Sequence, residues 1–188
     1  MASLAAAAGG ISRGAAERYS DPATEFPVLR LTDPAASSYL PVNASHTISR
    51  RGNFLLYASD ASGHMQAYRM DTKKGDTRQI TEAAALNPDG LTLLQDERGF
   101  LYIDGRRLMM TLFSPAKPRQ VYMIPEGFEH ASGLSASIDG LYCALVERKG
   151  AAHRLRLVNL RSGEGTTLAE ADEPIRTPLP RPKRASVL

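Results

Sequence analysis

Glycines divide this chain into near-copies of one unit, and that recurrence limits its folds more than any other feature. Ser49-Arg50-Arg51-Gly52 leads into the apolar run Phe54-Leu55-Leu56-Tyr57, a Ser59-Asp60-Ala61-Ser62-Gly63 turn, Gln66-Ala67-Tyr68-Arg69-Met70-Asp71, and then Arg78-Gln79-Ile80-Thr81. A second copy runs Asp96-Glu97-Arg98-Gly99, Phe100-Leu101-Tyr102-Ile103, Asp104-Gly105, Arg107-Leu108-Met109-Met110 and Arg119-Gln120-Val121-Tyr122. The third runs Ser137-Ile138-Asp139-Gly140, Leu141 to Leu145, Gly150, Arg154 to Asn159 and Thr166-Thr167-Leu168. Gly52, Gly99 and Gly140 are read as equivalent. Their spacing falls in the range of roughly 40 to 50 residues expected of a four-stranded blade.

Within each copy the apolar runs are short, rich in β-branched, aromatic and Leu or Met residues, and bounded by turn formers, which is strand rather than helix punctuation. Strands are expected at Val28–Leu31, Phe54–Ser59, Gln66–Asp71, Thr77–Thr81, Leu91–Gln95, Phe100–Ile103, Arg107–Thr111, Gln120–Ile124, Leu134–Ser137, Leu141–Glu147, Leu155–Asn159 and Gly165–Leu168. Ser62-Gly63, Lys74-Gly75, Asp89-Gly90, Asp104-Gly105, Asp139-Gly140, Lys149-Gly150 and Ser162-Gly163 supply hairpin turns, where glycine accepts positive φ. A sheet this small cannot bury both of its faces, so each copy must stack on a neighbour. The expected fold is all-β: a partial β-propeller of about three four-stranded antiparallel blades, near 46–81, 83–124 and 130–168. They occupy residues 26–172, after a flexible amino-terminal arm over 1–25. Residues 173–188 read as a Pro-rich basic linker or the start of a further blade.

Lys plus Arg number 23 against 20 Asp plus Glu, with no basic half, and this argues against nucleic acid, which needs clustered charge. No run approaches the ~18 apolar residues of a membrane helix. A soluble protein without membrane partners is expected, with cytoplasm and periplasm both open. Residues 1–16 lack the basic start of a signal peptide. Cys143, the single cysteine, cannot form an internal disulfide and sits in an apolar strand, where a thiol acts as a small hydrophobe.

The repeat of the first copy resembles that of the TolB-like propellers. The order of the three copies, with Pro125-Glu126-Gly127-Phe128 after the second, is more narrowly similar to the amino-terminal half of the oligogalacturonate lyase family. The resemblance spans about residues 26–170. It implies a seven-bladed propeller that cleaves short galacturonate oligomers by β-elimination, with a manganese ion held mainly by histidines of the later blades. None of those ligands or catalytic residues matches a position in this chain, so no cofactor and no catalytic residue is expected here, and the segment alone is expected to be inactive. The other readings are a non-catalytic TolB-like scaffold for protein or carbohydrate, and a partial propeller that self-associates through exposed blade faces or is completed by missing blades.

Four residues are candidates for ligand contact. His46 and His130 precede inner-strand positions, and inner strands line a propeller's channel. Arg50 and Arg107 carry guanidinium forks suited to the carboxylates of an acidic oligosaccharide. Arg154 and Arg156 share that chemistry, with a solvated strand face as the alternative. His64 and His153 read as loop residues, and Asp60, Asp71, Asp89, Asp104 and Asp139 as turn caps.

Overall fold

The computed structural model describes residues 11–12, 17–41, 46–180 and 187. The strands are β1 (Ile11–Ser12), β2 (Glu17–Ser20), β3 (Pro27–Arg30), β4 (Ser38–Tyr39), β5 (Phe54–Ser59), β6 (Gln66–Asp71), β7 (Thr77–Gln79), β8 (Leu86–Leu93), β9 (Gly99–Asp104), β10 (Arg107–Leu112), β11 (Arg119–Met123), β12 (Glu129–Ala136), β13 (Tyr142–Lys149), β14 (Ala152–Asn159) and β15 (Gly165–Ala171). Each of the twelve expected strands is present, and β1, β2 and β4 are additional. β2 pairs with β3, so a hairpin occupies part of the segment read as a flexible arm. The basic run Arg181 to Arg184 lies outside the described residues.

Three antiparallel sheets form, in the orders β1-β7-β6-β5-β4, β11-β10-β9-β8 and β12-β13-β14-β15. Within each, β4–β7, β8–β11 and β12–β15 lie in chain order, as a meandering blade requires, and β1 adds to the first at its β7 edge. The sheets stack through two cores. Phe54, Leu56, Ala58 and Ala67 of the first meet Leu91, Leu93, Phe100 and Tyr102 of the second. Leu101, Ile103, Leu108 and Val121 of the second meet Leu134, Cys143, Leu145 and Val158 of the third. Strand alternation explains why the second sheet contributes to both cores, since successive side chains point to opposite faces. A third, smaller cluster of Tyr57, Tyr68 and Met70 fills the outer face of the first blade and is covered by Leu31.

The hydrogen bonds correct the register of the repeat. Ser49 N–H donates to Phe54 O and Gly52 N–H to Ser49 O. Leu94 to Gly99 and Glu97 to Leu94 repeat that pattern in the second blade, as do Ser137 to Tyr142 and Gly140 to Ser137 in the third. The residue equivalent to Gly52 and Gly140 is therefore Glu97, not Gly99. Glu97 takes the same left-handed conformation, φ 57 beside 65 and 68. Gly99 is a glycine for a different reason: a Cβ there would lie 2.2 Å from the Thr111 carbonyl oxygen across the β9–β10 pair. Asp89-Gly90 is likewise not a hairpin turn. It lies inside β8, where the pairing with β9 slips between Leu86 and Leu91.

Candidate functional site

The innermost strands are β8, β12 and, in the first blade, the stretch around Ile48, which bridges to Leu55. With the register set by the turns, Thr47, Thr92 and Ser135 are equivalent, and all three are buried. The hydroxyls of Thr92 and Ser135 tie neighbouring inner strands together. Thr92 accepts from His46 N–H at 3.2 Å while Leu93 N–H donates to His46 O at 2.6 Å. Ser135 donates to Pro178 O, and Ser132 to Ile175 O at 2.9 Å. Residues 175–178 thus lie beside β12, as an inner strand lies beside its neighbour.

Both β8 and β12 are bulged near their starts. Bulges re-aim side chains and are frequent next to functional sites. Here they place Asn87 and His130, which are equivalent residues, in contact across the two blades. His130 Nδ1 lies 3.1 Å from Asn87 Nδ2 and its Nε2 lies 3.0 Å from Gly133 O. The amide nitrogen can only donate and the carbonyl only accept, so the tautomer is the one protonated at Nε2. Burial lowers the His130 pKa, and the ring is a neutral bridge between blades with both nitrogens engaged. Half-buried Asp89 stands beside it.

His46 flanks the same strand β8 at Thr92, on the order of 15 Å along from Asn87 at strand rise. Its Nδ1 is buried and has no hydrogen-bond partner among the described residues. Arg50 sits at the far end of β8, where Nη2 donates to Gln95 Oε1 at 3.1 Å and its backbone N–H to Glu97 Oε1 at 2.6 Å. Its guanidinium is paired with a neutral amide. Arg107 is on β10, two strands out from the channel, in an ion pair of 2.5 Å with Asp104. The structure therefore sets His46 and His130 on the two sides of one inner strand and does not bring Arg50 or Arg107 to either of them.

A second polar cluster was not expected. Glu147 is fully buried between the second and third blades. It accepts from the Tyr122 hydroxyl at 2.8 Å and from Arg154 Nε at 2.5 Å, and Arg156 Nε is 3.9 Å away. The guanidinium of Arg154 stacks on Phe128, 3.5 Å from the ring centroid, and Arg156 Nη2 donates to Gly165 O at 2.7 Å. Burial, with the Glu147 hydrogen bond behind it, raises the Tyr122 pKa. Arg154 and Arg156 are thus neither a solvated face nor free for an acidic ligand. The signal was in the alternation: Cys143, Leu145 and Glu147 share one face of β13, so the glutamate continues an inward stripe. Cys143 itself is buried, and burial raises its thiol pKa, which leaves it unreactive.

Among the described residues no three His, Cys, Asp or Glu side chains gather as metal ligands would. With both His130 nitrogens occupied, these residues do not fit a manganese ion. What the inner strands offer a ligand is hydrogen-bonding groups and the unpaired charge of Arg50.

Meandering four-stranded sheets stacked around a common line of inner strands define a segment of a β-propeller. No family model matches the chain. It is similar to the oligogalacturonate lyase of Dickeya dadantii, 23% identical over 184 residues, covering 87% of this chain and 47% of that protein. A solved oligogalacturonate lyase in complex with manganese superposes with a TM-score of 0.83 at 23% identity, over 94% of this chain and 52% of the other. For TolB from Acinetobacter baumannii the TM-score is 0.59 at 17% identity, over 85% and 39%. The chain spans about half the length of the lyases it matches, and its fold is theirs over that span.

Proposed function

We propose that this chain is the front portion of a lyase-like propeller that handles short galacturonate oligomers, and that it contributes channel wall and ligand contact rather than the bond-breaking groups. The observation that carries the reading is the likeness over 94% of the chain to the manganese-bound lyase, well above the likeness to TolB. β-Elimination removes a proton α to a carboxylate, so it needs a base and a cation that stabilises the enediolate at one point. Neither the His46 nor the His130 neighbourhood holds such a pair. Arg50 and His46 are the ligand-contact residues, because neither side chain is paired with a protein carboxylate. Arg50 pairs with the uronate carboxylate, and the half-buried His46 ring borders the sugar.

The test is titration calorimetry of the chain with trigalacturonate, alongside an ultraviolet assay for unsaturated uronate with manganese present. Saturable binding that weakens about tenfold in Arg50→Ala, with no absorbance rise, is the expected result. Turnover by the chain alone, or the same affinity in Arg50→Ala, would overturn the assignment.

A further inference from the structure

Two arginines of the first blade stand together without a carboxylate. Arg69 of β6 and Arg78 of β7 are directly opposite in register, so their side chains leave the same face of the sheet, and both are exposed. That face is the one turned to the second blade, because Leu56, the other cross-strand neighbour of Arg69, lies in the core between the two. Like charges directly opposite on neighbouring strands are destabilising. A protein carboxylate would relieve the repulsion, yet neither arginine joins an ion pair, and every Asp and Glu of the sequence is among the described residues.

Arg69 is nevertheless held in place. Its guanidinium lies 4.1 Å from the ring centroid of Phe54 and 4.9 Å from that of Phe113, a residue of the second blade. Phe113 is itself edge-on to Phe54 and stacked on Phe100. Stacking uses the flat face of a guanidinium and leaves its N–H edge for a planar carboxylate. The seam between these blades leads inward to Arg50: Phe113 N–H donates to Arg98 O, and the turn that carries Arg98 also carries Gln95 and Glu97, the partners of Arg50. The carboxylates along this line are turned to backbone, with Glu97 accepting from Arg50 N–H, Asp96 from Arg98 N–H, and Asp71 from the N–H groups of Lys73 and Lys74. We propose that Arg69 and Arg78 form an outer carboxylate site for a linear uronate chain that lies along the seam with Arg50 at its inner end. Strand spacing and rise put Arg50 roughly 15 Å from the pair, a separation that a chain of several sugars spans. A uronate chain is favoured over an acidic peptide because the seam is continuous with the uronate contact assigned to Arg50, and the outer site rests on that galacturonate reading.

Titration calorimetry of the 188-residue chain with trigalacturonate and with hexagalacturonate separates the outer site from the inner one. The hexamer should bind about tenfold tighter than the trimer, and Arg78→Gln should erase that gain while leaving the trimer's affinity unchanged. Arg69→Lys, which keeps the charge and loses the fork, should also weaken the hexamer and spare the trimer. Arg78 is exposed, so its replacement keeps the test clear of misfolding, and circular dichroism checks that Arg69→Lys still folds. Equal affinity for the two lengths, a hexamer gain that survives Arg78→Gln, or a hexaglutamate peptide that binds as tightly as the hexamer would each overturn the outer site. If the trimer still binds and still weakens in Arg50→Ala, those results leave the galacturonate reading standing. Binding of neither oligomer would overturn both.

Discussion

Replacing Glu147 with leucine removes the carboxylate that faces two buried guanidinium groups. Glu147 is wholly inaccessible, and the side chains of Arg154 and Arg156 are 16% and 13% exposed, so water cannot compensate for the loss. Breaking a buried pair by deleting one partner costs about 3–5 kcal/mol, because the remaining charge stays buried without its counter-ion. In a protein of this size each kcal/mol lowers Tm by about 2–4 °C, so Glu147→Leu should lose roughly 6–20 °C. Arg148 and Glu129 provide the internal control: their side chains are 48% and 62% exposed, and Glu129→Ala should cost no more than ~1 kcal/mol. Urea unfolding of both variants, followed by tyrosine fluorescence and circular dichroism, gives the two values on one scale. A loss below ~1 kcal/mol for Glu147→Leu would mean that the second and third blades are held by their aliphatic contacts alone, and the reasoning would be refuted.

Two further outcomes follow from groups at the inner strands and turns. Burial lowers the His130 pKa below its unfolded value, so the unfolded chain binds the extra proton first and stability falls as pH drops below about 6.5. In His130→Gln the part of that slope between neutral pH and pH 5 should vanish, and denaturation midpoints with an undiminished slope would show that the ring is not buried neutral. Gly99→Ala should destabilise by about 1–3 kcal/mol through the clash with the Thr111 carbonyl, a rigid backbone atom. A melting temperature within a degree of the parent would show that β9 and β10 can separate at no cost.

The strand pattern was readable because turn chemistry is local. The glycines at 63, 75, 105, 140, 150 and 163 all adopt positive φ, and the strands they separate fall where the apolar runs lie. The inner strands start earlier than read, at Leu86 and Glu129, because Asp89-Gly90 and Gly133 carry turn-forming residues into bulged strands. Glu97 escaped notice for the opposite reason: its positive φ is held by the recurring hydrogen-bond pattern, not by residue type. The polar groups were harder to place. His130 satisfies one ring nitrogen with an amide on another blade, and Glu147 meets a tyrosine on another blade, contacts set by stacking and not by sequence neighbours.

Hydroxyls recur at Thr47, Thr92 and Ser135, and two of them reach into the backbone of the adjoining strand. That arrangement makes the blades interdependent, like staves that stand only when the next is in place. A version shortened before Ile175 would strip Ser132 and Ser135 of their acceptors and should begin to fray at β12, far from the cut, while the first two blades stay folded.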